Sequence, residues 1–223
     1  MPNDDPPDRT SLCPGSGVGQ ASTSRRPPAS LILDAARDLF ARQDYRTTTT
    51  REIAQASGIA EHLLFRHFGS KATLFREALV QPFTDFVAEF GRTWQSVVPE
   101  HANDDDSLAQ MFVGRLYDVF VEHKGLLVTL MNSDTLTEAE MTDIGIADVR
   151  ASLEVLGQIA VEAMRSSGVH PSDEDLPVHS TVATIAGMAA LRSSFFGTGQ
   201  PSRDTIVREL IRAILHGFLH RPD

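Results

Sequence analysis

From Ser30 onward the apolar positions recur at steps of three and four. Ile32, Ala35, Ala36, Leu39 and Phe40 fall on one side of a helix, as 3.6 residues per turn requires. Pro28 and Ser30 suit its start, and the pattern fails near Gln43-Asp44-Tyr45. In "TTTTREIAQASG" Thr49 and Glu52 form a capping-box pattern, a hydroxyl and a carboxylate placed to bond the free amides of a helix start. Gly58 supplies the left-handed residue that ends this second helix, and a third begins near Ala60. Two short helices across a glycine turn predict a helix-turn-helix.

A fourth stripe, Phe75, Leu79, Phe83, Phe86, Phe90 and Trp94, runs to about Val97, and Pro82 inside it predicts a kink or break. Residues 107–123 place Leu108, Met111, Phe112, Leu116 and Phe120 on one side. "GLLVTLMN" at 125–132 is short and almost wholly apolar, which predicts a buried helix. Thr137 and Glu140 repeat the capping box ahead of one long helix to about Ser167, and two more helices cover about 175–196 and 202–220. No strand-like alternation stands out. The chain reads as all-α, with about nine helices. The expected organisation is a disordered tail over 1–28, a three-helix helix-turn-helix head over 29–75, and a helical body over 76–223.

Charge sharpens this division. The formal net charge is −10, yet residues 25–80 hold nine Lys/Arg against six Asp/Glu, so the excess acid lies elsewhere. A small basic module on an acidic body is the asymmetry of a nucleic-acid contact. A single cysteine, Cys13, excludes a disulfide framework within the chain and a thiolate zinc site. The start of the chain lacks the pattern of a signal peptide and no apolar run is long enough for a bilayer, so a cytoplasmic protein without membrane contact is expected. No nucleophile elbow, metal-ligand pair or phosphate loop is present, and "GSGVG" at 15–19 follows no strand. Neither an enzyme, a metal site nor a cofactor is expected.

Leu31 to Leu79 resembles the N-terminal domain of the TetR (tetracycline-repressor) family. The residues that carry the likeness are "AARDLF" (35–40), "TTTREIAQASGI" (48–59) and "LFRHFGSKATL" (64–74), with their mutual spacing. The resemblance implies a ligand-responsive transcriptional regulator, most often a repressor, that binds a palindromic double-stranded DNA operator as a homodimer and is released by a small effector. Ala60 stands where the family commonly has Ser or Thr, His62 where it has Gly, and Phe65 where it has Tyr. Phe65 cannot donate the hydroxyl bond that such a tyrosine gives a phosphate.

On this frame the third helix fits a major groove. Leu64 and Phe68 turn inward, while Glu61, His62, Leu63 and Arg66 face out. Arg66 suits a guanine edge, Glu61 a cytosine amine and Leu63 a thymine methyl. Lys71 on the fourth helix, Thr49, Thr50 and Arg51 on the second, and His67 are expected at phosphates. Ala60 and Phe65 complete the candidate interface.

The aromatic and Met stripes of the body suit plain core. The resemblance implies a ligand cavity among them, hence a small apolar effector such as a lipid, sterol, aromatic or acyl compound. Its candidate lining is Phe86, Phe90, Trp94, Met111, Phe112 and Leu116 on two helices, with Tyr117, Phe120, Leu127, Met131 and Phe195 around them. Tyr117, His123, Thr129 and Asn132 are the candidate polar contacts. Ala183, Ala186, Gly187 and Ala190 form a small-residue face, and Val207, Leu210, Ile211, Ile214 and Phe218 make the last helix broadly apolar. Packing within one chain explains both; the resemblance implies a four-helix bundle between two chains. The alternative function is a helical ligand- or partner-binding protein whose helix-turn-helix no longer reads DNA.

Overall fold

The computed structural model describes residues 26–97, 105–166 and 176–219. Cys13, the glycine-rich "GSGVG" and most of the expected tail lie outside them. All regular structure among the described residues is helical. The segment expected as the head holds α1 (Pro28–Phe40), α2 (Thr50–Ser57), α3 (Glu61–Phe68) and the start of the fourth helix, α4 (Lys71–Phe75). A π-turn, Arg76–Val80, joins α4 to α5 (Gln81–Val97). The body continues with α6 (Asp105–Glu122), α7 (Lys124–Met131), α8 (Glu138–Ile144), α9 (Ile146–Ser166), α10 (Leu176–Phe196) and α11 (Arg203–Leu219).

The local chemistry sets these boundaries. Thr49 accepts from the Glu52 amide while the Glu52 carboxylate accepts from the Thr49 amide at 2.9 Å, closing the capping box of α2. Gly58, at φ 69°, ends that helix in the left-handed region. Thr137 and Glu140 close the same box at α8. The single long helix expected from Thr137 to Ser167 is two helices, because Gly145 at φ 80° ends α8 after Ile144. With Lys71–Val97 taken as one interrupted helix, the described residues hold ten helices rather than nine.

The interruption has a cause in Pro82. Proline has no N–H, so the α-helical bond from residue 82 to the Ala78 carbonyl cannot form. The chain slips to i→i+5 bonding just before it, with the Gln81 amide on the Arg76 carbonyl.

One contiguous apolar cluster spans head and body. In the head, Phe40, Tyr45 and Phe75 form a ring triad with centroids 5.0–6.2 Å apart. In the body α5 packs along α9, and α6 along α10 and α11. Polar ties cross the seam between them. The Arg46 guanidinium donates to the Thr135 carbonyl at 2.7 Å and lies 3.7 Å from Glu140, while Arg76 of the joining π-turn meets Asp148 at 3.1 Å. Arg203 forks onto Asp118 at 2.7 Å, holding α11 to α6.

Candidate nucleic-acid interface and ligand cavity

The helix expected at a major groove is α3. Leu64 and Phe68 are buried against the head, four residues apart on one face. His62, Phe65, Arg66 and His67 lie exposed on the other, and Glu61 and Leu63 are half-buried. Phe65 is 44% exposed. Arg51 and Thr49 are exposed on the start of α2, and Ala60 is exposed at the cap of α3. Among the described residues Arg51 and Arg66 hold no ion pair, so both guanidinium groups remain available to an anion.

Two candidates are differently employed from what their sequence positions suggest. Lys71 does not extend toward solvent. Its ammonium donates to the Tyr45 carbonyl at 2.9 Å and the Thr48 carbonyl at 3.2 Å, and sits 4.3 Å from the centre of the Tyr45 ring. Burial holds its pKa below the usual lysine value, against the pull of Glu140 and Asp44. Lys71 is a buckle between the α1–α2 loop and α4, with two of the three N–H donors of its ammonium engaged by these carbonyls. Thr50 is likewise engaged, its hydroxyl donating to the Glu61 carboxylate at 2.7 Å. This bond crosses the turn, joins α2 to α3, and aims the carboxylate.

A cavity of about 180 Å³ opens between α5 and α6. Phe86, Phe90, Trp94 and Met111 line it, with Glu89, Thr93 and Arg115 as its polar groups. The three polar residues were not expected, although Arg115 lies one helical turn beyond Met111, and Thr93 and Glu89 adjoin expected aromatics. Trp94 is fully enclosed, and among the described residues its indole N–H alone is a buried side-chain polar atom without a partner. Phe112 packs edge-on to Trp94 at 5.6 Å, behind the wall.

The other expected lining residues lie elsewhere. Leu116, Phe120 and Leu127 are core, and Tyr117 is buried with its hydroxyl accepting from Arg192 at 3.2 Å. Met131 and Phe195 are 65% and 66% exposed, each near the end of its helix, and neither lines this cavity. Of the polar candidates, Thr129 donates to the Gly125 carbonyl, Asn132 to the Val128 carbonyl, and His123 is buried against Phe83.

The proposed dimer face divides similarly. Ala190, Val207 and Leu210 are buried within the single chain, where α6 packs against α10 and α11, which removes them from an outer face. Ala183 is exposed, and Ala186, Gly187, Ile211 and Ile214 are half-buried. The Phe218 side chain lies outside the described residues.

Residues 32–78 match the family described as "Bacterial regulatory proteins, tetR family". An HTH-type regulator of Bacillus subtilis, YvkB, is 43% identical over 56 residues, 25% of this chain and 30% of that protein. The HTH-type transcriptional repressor KstR2 of Rhodococcus jostii is 25% identical over 187 residues, 84% of this chain and 89% of that one. The crystal structure of PfmR, a TetR-family regulator of Thermus thermophilus, has the same fold, with a TM-score of 0.62 at 23% identity over 85% of this chain and 99% of that chain.

Proposed function

The chain belongs to the TetR family of bacterial regulatory proteins, and from that premise we propose a repressor that grips a palindromic operator as a homodimer and lets go when a small apolar effector fills the body. Residues 29–75 are then the DNA-reading head and 76–223 the effector and dimer region.

The observation that carries this reading is the outward face of α3, where His62, Phe65, Arg66 and His67 stand exposed while Leu64 and Phe68 hold the helix down. Arg66 offers a fork for guanine, and the Glu61 carboxylate, aimed by Thr50, accepts from cytosine. Phe65 covers a thymine methyl or a sugar with its ring. Arg51, Thr49 and His67 take phosphates, and Ala60 and Leu63 border the groove. Lys71 supports the site from behind by holding the loop before α2.

The cavity supports the effector. Four of its seven lining residues are aromatic or Met, and an effector oxygen brought to the Trp94 N–H would recover the roughly 1–3 kcal/mol that an unpaired buried donor costs. The dimer rests on α10, apolar on every side yet exposed along Ala183 and half-exposed at Gly187. Two such faces in contact present two heads to one palindrome.

Selection of genomic DNA fragments by the purified protein, followed by salt titration of the best fragment, tests the reading. A short palindrome is expected, with affinity falling steeply as salt rises because phosphate contacts release counterions. Enrichment no better than bulk DNA would leave a helical binding protein with an inactive head.

A further inference from the structure

The Ala78 carbonyl is the one that Pro82 deprives of its α-helical donor. A second donor reaches it. Arg37 Nε of α1 donates to that oxygen at 3.0 Å, across 41 residues of sequence. The same guanidinium is steadied by Asp34, one turn back on α1, at 3.2 Å. The head's first helix therefore bonds the body's entry helix at its only π-turn among the described residues.

We propose that Arg37 is a positioning residue for DNA binding: it replaces the N–H that Pro82 lacks, and so fixes α1 of the head to the hinge at the start of α5. Both partners of that bond lead somewhere. Four residues beyond Pro82, α5 carries Phe86, then Phe90 and Trp94, along the cavity. From Arg37, α1 carries Ala36 and Phe40 into the core on which α2 and α3 rest. A π-turn and a regular helical turn differ in register by one residue, which makes two discrete arrangements rather than a continuum. A two-state element that both sites bias is the physical requirement for coupling them. An effector that shifts α5 moves Ala78, and Arg37 carries that shift to the head. This last step rests on the proposed regulatory function; the Arg37–Pro82 relation does not.

A double-mutant cycle on the full chain separates the two. Arg37→Met removes the surrogate donor, and Pro82→Ala restores the backbone N–H. Arg37→Met alone is expected to lower the melting temperature and to weaken the selected DNA fragment about tenfold, while in the Pro82→Ala protein the same change costs less than about twofold. Arg37→Lys, which keeps a donor, is expected to recover part of the affinity. Equal losses with and without Pro82 overturn the proposal, and so does coupling in melting temperature that is absent from DNA affinity. If Arg37→Met fails to fold, recovery of folding in the double variant supports the substitution of donors, and continued failure overturns it. If the parent protein enriches no fragment, the proposed function fails, while the melting cycle still decides whether Arg37 stands in for the missing amide.

Discussion

Helices α3 and α10 dispose of their apolar side chains in opposite ways. In α3 two of them, Leu64 and Phe68, are buried, and the opposite face carries His62, Arg66 and His67. In α10 apolar residues occur on every side, so burying Ile185, Ala189 and Ala190 inward still leaves Ala183, Phe195 and Phe196 outside, among the exposed Thr184, Ser193 and Ser194. A helix with one apolar stripe is complete within its own domain, and what it shows outward is chosen for a solvated or charged partner. A helix apolar all round is complete only when something apolar covers it. On the proposed function the two outward faces serve different partners, an anion for α3 and a second chain for α10.

The largest test of this contrast lies within α3 itself. Leu64→Ala removes a fully buried side chain and is expected to cost about 2–5 kcal/mol of stability, read from thermal or urea unfolding. Phe65→Ala, one residue away, is expected to change stability by no more than about 0.5 kcal/mol, since nearly half of the ring is outside. Its effect should appear in operator affinity, at about 1–3 kcal/mol if the ring covers a base. A Phe65→Ala protein that melts as early as Leu64→Ala would place that ring in the core and remove it from the interface.

The head was largely legible in the sequence because its signals are local. A capping box, a glycine stop and an i, i+4 apolar pair each lie within a few residues, so spacing alone places α2 and α3. The same grammar marked the start of α8, and failed at its end because Gly145 could be taken for a helix-interior glycine. Lys71 shows the limit for side chains. Its position at the first turn of α4 was readable, but the carbonyls of Tyr45 and Thr48 that capture its ammonium lie 26 and 23 residues earlier. The cavity was half legible for a similar reason. Periodicity found the aromatic stripe and the family resemblance supplied the expectation of a cavity along it, whereas Glu89, Thr93 and Arg115 are ordinary exposed positions on their own helices and acquire a shared location only when α5 meets α6. Arg37 was invisible, since a surrogate donor is defined by a bond and not by a pattern.

Two helix glycines sharpen the inside–outside comparison at the next level of effect. A Cβ on Gly125 would stand 3.0 Å from the backbone of Phe40 and Ala41, where α7 presses on the end of α1. Backbone cannot give way as a side-chain tip can, so Gly125→Ala is expected to destabilise by about 1–3 kcal/mol. At Gly187 a Cβ would meet nothing within 4 Å of its own chain. Within a lone chain, Gly187→Ala should therefore stabilise by up to about 1 kcal/mol through helix propensity. Gly187→Leu is expected to convert a two-chain sedimentation mass to one-chain mass, with the fold retained. Persistence of the dimer with Gly187→Leu would move the interface off this face of α10.

The smallest effect belongs to a buried group in the seam rather than on either outward face. His123 lies between α6 and α7 with its ring 5.8 Å from that of Phe83. Burial holds its pKa below the ordinary 6.5; Arg37 adds to that depression and Glu122 opposes it. Below pH 6.5 the unfolded chain therefore takes up a proton that the folded chain resists, and stability falls with pH until the folded value is passed. The carboxylates of Glu52 and Glu140 are held below 4.5 by the threonine amides that cap them, so the stability they contribute is lost only as pH falls further. The two effects are thereby separated in pH. Melting temperatures at pH 7.5 and 5.5 should differ more in the native protein than in His123→Gln, which keeps polarity but cannot titrate. An equal difference in the two proteins would show that His123 accepts its proton in place, and that the seam between head and body is open enough to hydrate it.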